Sequence, residues 1–99
     1  MGEFEQLVLL AVLRLGEDAY GMAVRRELEE ATRREVSYGA VYTTLDRLET
    51  KGWVSHRLGE ARPERGGRAR KYFRVTPAGR ATLRESRRVL DIMWTGVSI

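Results

Sequence analysis

Cysteine is absent from the 99 residues, and histidine occurs once, at His56. No disulfide, thiolate metal site or thiol nucleophile is therefore possible, and one chain cannot assemble a histidine-rich metal cluster. The longest apolar run, Leu7–Leu13, falls far short of the ~20 residues a membrane span needs. The opening Met1-Gly2-Glu3-Phe4-Glu5-Gln6 is acidic where a secretory signal is basic, and Gln6 stands where a myristoylation signal requires Ser or Thr. Ser, His and Asp occur, but without nucleophile-elbow, phosphate-loop or metal-ligand spacing. These absences lead us to expect a cytoplasmic protein that is not an enzyme, with no cofactor and no membrane partner.

What is present is charge, unevenly distributed. Residues 1–50 carry 6 basic and 10 acidic side chains, a balance of −4, whereas residues 51–99 carry 12 and 4, a balance of +8. The second half is thus suited to an anionic partner, and nucleic acid, acidic membrane and acidic protein all satisfy that requirement. Sixteen of the 18 cations are arginine, which suits phosphate forks and is equally produced by a GC-rich genome. A monomer of this size buries only about 60–65 % of its unfolded surface, so a second subunit is expected to complete the core.

Four helical patterns and one hairpin pattern follow one another. Residues 3–15 lack helix breakers and are apolar at every position from Leu7 to Leu13, so burial on two sides is expected, one of them against another subunit through Phe4, Leu7 and Leu10. Tyr20, Val24, Leu28 and Ala31 repeat at helical spacing and predict a second helix over about 19–32. Ser37 is a capping residue before Val41, Leu45 and Leu48, and Lys51-Gly52 ends the pattern, which gives a third helix over 38–51. Residues 53–58 and 71–75 are aromatic and β-branched, with Gly59, Pro63, Gly66 and Gly67 between them, and read as a hairpin with a long tip. Thr76-Pro77 opens a fourth helix reaching about Thr95. Its 19 residues extend ~28 Å, more than the other elements can cover. Leu83, Leu90, Trp94 and Val97, widened by Val89 and Met93, leave its far half apolar where a partner should sit.

Three helices followed by a two-stranded wing is the order of a winged helix-turn-helix. The fold expected is mainly α with a two-stranded β wing (α+β), and a long C-terminal dimerisation helix. Residues 1–75 would form the DNA-binding domain, and residues 76–99 the dimerisation helix, in one compact unit with it. With Val41, Leu45 and Leu48 inward, the 100° helical step turns Ala40, Thr43, Arg47 and Thr50 outward, with Gly39 and Thr44 at the flanks. Small side chains let the backbone approach bases, and Ser37 with the first amides can hold a phosphate. Thr43 and Thr44 suit base edges or thymine methyls, and Arg47 suits guanine or a phosphate. Tyr38 and Tyr42 lie beside the apolar stripe, either as core or as half-core side chains whose hydroxyls reach phosphates. In the hairpin, Arg57, Arg62, Arg65, Arg68, Arg70, Lys71 and Arg74 face only Glu60 and Glu64, so this is the expected phosphate-contacting element. His56 is assigned no role.

The segment SYGAVYTTLDRLETKGWV, residues 37–54, resembles the recognition helix and wing entry of the PadR-like transcriptional regulators. Tyr20-Gly21, Gly67-Arg68, Arg70-Lys71-Tyr72-Phe73 and Thr76-Pro77-x-Gly79 extend the resemblance over nearly the whole chain. It implies a homodimeric repressor of a palindromic, inverted-repeat operator in double-stranded DNA, joined through the fourth helix. DNA contacts are expected from Ser37, Tyr38, Gly39, Ala40, Tyr42, Thr43, Thr44, Arg47, Arg65, Arg68, Arg70 and Lys71. Subunit contacts are expected from Phe4, Leu7, Leu10, Leu83, Leu90, Met93, Trp94 and Val97. The family commonly has proline after the recognition-helix tyrosine, whereas Thr43 follows Tyr42 here, so contacts at Thr43 transfer less directly. Some relatives release DNA on binding small aromatic or amphipathic molecules. Met93 and Trp94 would line such an effector site or simply form dimer core. The rival reading is a winged helix whose basic wing docks an acidic protein.

Overall fold

The structure, a computed structural model, describes residues 1–61 and 69–99. Helix α1 (Glu3–Leu15) supplies Val8, Leu9 and Val12 to the core, helix α2 (Gly21–Thr32) supplies Val24 and Leu28, and helix α3 (Tyr38–Thr50) supplies Val41, Leu45 and Leu48. Strands β1 (Val54–Ala61) and β2 (Ala69–Val75) pair antiparallel, with Val54 opposite Val75 and His56 opposite Phe73. Val54, Phe73 and Val75 close the core from below the helices. Both strands run past the expected 53–58 and 71–75. Gly59, read from sequence as a loop residue, lies within β1 because its bare Cα accommodates the Tyr72 ring.

The expected start of the second helix at residue 19 is corrected. Gly16–Asp18 form a short 3-10 turn, and the next two residues bond to β2, with Tyr20 extended at the N-cap position of α2. The Ala19 carbonyl accepts a hydrogen bond from the Phe73 N–H at 2.8 Å, and Tyr20 bridges to Tyr72. Ala31, expected on the inward face, is exposed, since the core contacts of α2 end at Leu28.

The passage from α3 into the wing is a fully hydrogen-bonded turn. Gly52 donates to the Glu49 carbonyl at 3.0 Å and Trp53 to the Leu48 carbonyl at 2.9 Å, with Gly52 at φ 80°. This pair of bonds satisfies the last carbonyls of the helix. Helix α4 (Pro77–Trp94) begins against the same turn. Thr76 donates its backbone N–H to the Trp53 carbonyl at 3.0 Å and its hydroxyl to the Gly52 carbonyl at 2.6 Å. It also caps α4 by accepting from the Gly79 N–H at 3.1 Å. Gly79 is buried directly beneath the Trp53 carbonyl oxygen, where no Cβ fits.

From that anchor α4 leaves the body of the protein. Leu83 still packs on the core, but Val89, Leu90, Ile92, Met93 and Trp94 are exposed. The overhang stretches the molecule to 56 × 28 × 20 Å with a radius of gyration of 15.0 Å, against about 13 Å for a compact chain of this length.

Gly79→Ala tests the joint. Alanine in a helix interior ordinarily stabilises by up to about 1 kcal/mol, but here we expect a net loss of about 1 to 3 kcal/mol from the forced backbone shift, read as a lowered urea midpoint at unchanged slope.

Candidate nucleic-acid interface

Ser37 caps α3, its hydroxyl accepting from the Ala40 N–H at 3.1 Å, which leaves the opening turn, Tyr38, Gly39 and Ala40, exposed. Val41, Leu45 and Leu48 are fully buried. The inward arc is wider on one side than the sequence reading allowed, and Thr44 falls inside it at 4 % exposure. Thr44 is therefore a packing residue, and its expected reach to base edges is corrected. The outward pole consists of Gly39, Thr43, Asp46 and Thr50, all exposed. Asp46 was missed from sequence, although the 100° step from Val41 places it about 140° from the core-facing direction.

Arg47 lies to one side of this pole, beside α1. Its guanidinium is 3.8 Å from the Glu5 carboxylate, and Lys51 donates to the same Oε2 at 2.9 Å. The other oxygen of Glu5 accepts the Gly2 N–H at 3.2 Å, so one nearly buried carboxylate caps α1 and holds two cations of α3. The Lys51 hydrogen bond, helped by the Gly2 amide and opposed by burial, keeps the Glu5 carboxyl below its ordinary range. Arg47 is thus partly committed to α1 before any ligand arrives. A Glu three residues after the helix-capping position is the signal that would have found Glu5.

On the opposite flank Tyr38 and Tyr42 stack with ring centroids 4.5 Å apart. Tyr38 is exposed and Tyr42 half-buried, with its ring against Gly21, where a Cβ would come within 2.5 Å of it. Burial, and secondly the neighbouring Tyr38 hydroxyl, push the Tyr42 phenol up to about 12, so it stays a protonated donor at physiological pH. The Tyr20-Gly21 pair therefore has a packing basis.

The wing cations divide by strand alternation. Arg70 and Tyr72 point to one face and Lys71 to the other. Arg70 is half-buried with its guanidinium 4.0 Å from the Tyr20 ring centroid, whereas Lys71 is exposed. The expected contacts at Arg65 and Arg68 lie outside the described residues. His56 pairs with Glu49 at 2.5 Å, which links the wing to the end of α3.

Of the residues expected at a subunit interface, Leu10, Leu83, Leu90 and Trp94 line one groove, whereas Phe4 lies in a separate cleft with Val36 and Ala40. Phe4 and Leu7 are half-buried, while Leu10, Leu90, Met93, Trp94 and Val97 are exposed. Between α1 and α4 runs a groove of about 490 Å³ whose apolar lining includes Leu10, Leu13, Leu83, Leu90 and Trp94. Arg80, Arg84 and Arg87 stand at its edge. Of the two candidate effector residues, Trp94 lines this groove and Met93 does not. Among the described residues no three metal-ligating side chains cluster, and no helix is long and apolar enough to cross a membrane.

Three helices, a wing joined to the third, and a long terminal helix define a winged helix-turn-helix protein. The profile of the Transcriptional regulator PadR-like family matches residues 9–85. The transcriptional regulator Rv3488 of Mycobacterium tuberculosis is 42 % identical over 94 residues, covering 92 % of this chain and 83 % of its own length. A PadR family transcriptional regulator from Eggerthella lenta superposes with a TM-score of 0.74 at 28 % identity, covering 95 % of this chain and 81 % of that one. A PadR-like transcription factor from Bacteroides fragilis gives 0.74 at 27 % identity, over 91 % and 82 %. The chain belongs to the PadR-like family of transcriptional regulators, a class of DNA-binding regulators rather than of enzymes.

Glu5→Gln should lower stability by about 1 kcal/mol at pH 7, since the charge is gone and the amide nitrogen cannot accept, so only one of the Lys51 and Gly2 hydrogen bonds survives. Because the folded-state pKa of Glu5 is depressed, its contribution exists above the unfolded value and disappears as pH falls through the folded one. Urea titrations from pH 7 to about pH 3 should show wild type and variant converging at the acid end.

Proposed function

We propose that this protein is a cytoplasmic homodimeric repressor that binds an inverted-repeat operator in double-stranded DNA and blocks transcription by occupying it. In this reading residues 1–75 bind DNA and residues 76–99 join the subunits. The observation that carries it is the outward pole of α3, where Gly39, Thr43 and Thr50, with the single acid Asp46 among them, present little bulk beside the tyrosine pair and the basic wing. Such a face lets a helix settle deep in the major groove. Ser37, Tyr38, Gly39, Ala40 and Tyr42 meet the backbone at the entry of the helix, and Thr43 meets bases. Arg47 reaches guanine or phosphate by leaving Glu5. Lys71 and Arg70, with Arg65 and Arg68 nearer the tip, hold phosphates.

The dimer follows from the overhang. Leu90 and Trp94 continue the line of Leu83 along α4, Leu10 lines the same groove from α1, and Val97 is exposed beyond the helix end. A second copy laid antiparallel on this surface covers it and sets two copies of α3 about 34 to 36 Å apart, one turn of duplex. The groove containing Trp94 supports the further reading that a small aromatic or amphipathic effector enters between α1 and α4 and changes that spacing.

Sedimentation equilibrium and gel shifts on the protein's own upstream DNA test these statements together. We expect a wild-type dimer that binds, and a monomeric Trp94→Glu variant whose duplex affinity is lower by at least about tenfold. A wild-type monomer, or no shift at low ionic strength, overturns the proposal. Lys71→Gln should reduce the salt slope of binding by about 0.9 per subunit. Gly39→Ala, with open space around its Cβ, should keep or raise thermal stability while weakening DNA binding. In a Trp53→Phe background, quenching of Trp94 fluorescence by planar hydrophobic compounds reports the effector site.

A further inference from the structure

Among the described residues, seven arginine and lysine side chains sit within 4 Å of a carboxylate: Arg14, Arg25, Arg34, Arg47, Lys51, Arg87 and Arg88. Three others are gathered around two tyrosines with no carboxylate among the described residues at that distance. Arg70 lies over the Tyr20 ring at 4.0 Å. Arg26 donates to the Tyr20 hydroxyl at 2.7 Å and sits 5.9 Å from the same ring centroid. Arg57 lies 4.6 Å over Tyr72, whose ring meets Tyr20 edge-on at 5.8 Å. Ring faces attract guanidinium groups only weakly at exposed sites and do not neutralise them. Three like charges held this close are a set prepared for an anion.

The position of the cluster identifies the anion. Tyr20 precedes Gly21, against which Tyr42 of α3 packs, and the Arg70 charge is felt at the Tyr42 phenol. The cluster therefore lies on the wing-side flank of the reading helix, in the angle between α2, α3 and the base of the wing. In the DNA-binding reading, that angle is the one beside the strand that leaves the groove occupied by α3. Arg70 lies over the Tyr20 ring without a hydrogen bond from its guanidinium to any described residue, and Arg26 spends one nitrogen on the Tyr20 hydroxyl. That is the donor arrangement a phosphate accepts from arginine forks.

We propose that Arg26 and Arg70 bind one DNA backbone phosphate per subunit, and that Tyr20 is the positioning residue that aims both of them. The inference rests on the DNA-binding reading above and adds a contact on α2 that the sequence pattern did not disclose.

The test uses the full-length protein and a duplex that it selects from a random pool. Arg26→Gln and Arg70→Gln together should lower the salt slope by about 0.9 per subunit, the share of one phosphate, and each alone by part of that, while Arg14→Gln, whose charge is paired with Glu27, leaves it unchanged. Tyr20→Phe keeps the ring and all charges, so it should cut affinity about three- to tenfold at a nearly constant slope. Replacing single phosphates by uncharged methylphosphonates should weaken wild-type binding at one flanking backbone position per half-site. At that position Arg26→Gln should be less sensitive than wild type and the double variant Arg26→Gln/Arg70→Gln insensitive, an outcome that loss of folding does not imitate. Unchanged slopes in both arginine variants, or equal sensitivity of wild type and Arg26→Gln at every phosphate, overturn the site and leave the DNA-binding reading standing. An unaffected Tyr20→Phe removes the positioning role. Failure of the wild type to select any duplex overturns the DNA-binding reading itself.

Discussion

The backbone contact between the turn after α3 and the first turn of α4 is the constraint on which the arrangement depends. Two hydrogen bonds from Thr76 reach Gly52 and Trp53, and the missing Cβ of Gly79 lets α4 lie directly on the Trp53 carbonyl. Three elements with different duties meet within these few residues: the helix that presents a small polar face, the wing that carries the cations, and the helix that projects an apolar stripe. None of them can rotate independently without breaking these hydrogen bonds or forcing the Gly79 backbone away from the Trp53 carbonyl.

Charge is arranged with the same economy of parts. Acidic residues of the first half tie the helices to one another, with Glu5 serving two cations of α3 and Glu3 taking Arg34. Among the described residues, arginines of the wing meet rings, the Glu17 carbonyl or the Ser55 hydroxyl instead of carboxylates. Ion pairs at the surface contribute little to stability, so their placement matters more for which cations are left available than for how firmly the fold holds. Glu5 is the exception. Burial raises the cost of its charge, and only the combined Lys51, Gly2 and Arg47 interactions offset that cost.

Most of the fold was legible because its signals are local. Ser37 and Thr76 cap the helices they were expected to cap, and the stripe Val41, Leu45, Leu48 is buried as its spacing requires. The start of α2 was not legible, since Ala19 and Tyr20 leave the helix only because β2, some fifty residues later, pairs with them. Thr44 was misplaced because helical spacing gives the centre of a buried arc but not its width, which depends on what packs there. The Tyr20, Arg26 and Arg70 grouping draws on segments that carry no mutual spacing at all. A resemblance to known regulators supplied the biological role, which periodicity alone could not.

The rigid root of α4 also limits what the protein can recognise. In the proposed dimer the two reading helices are fixed to their own terminal helices through main-chain bonds, so little compliance remains in the arms. Inserting a single base pair between half-sites swings one of them around the duplex axis by about 35°, and stiff arms cannot follow. The particle would in effect count nucleotides, discriminating between operators by the length of a spacer it never touches.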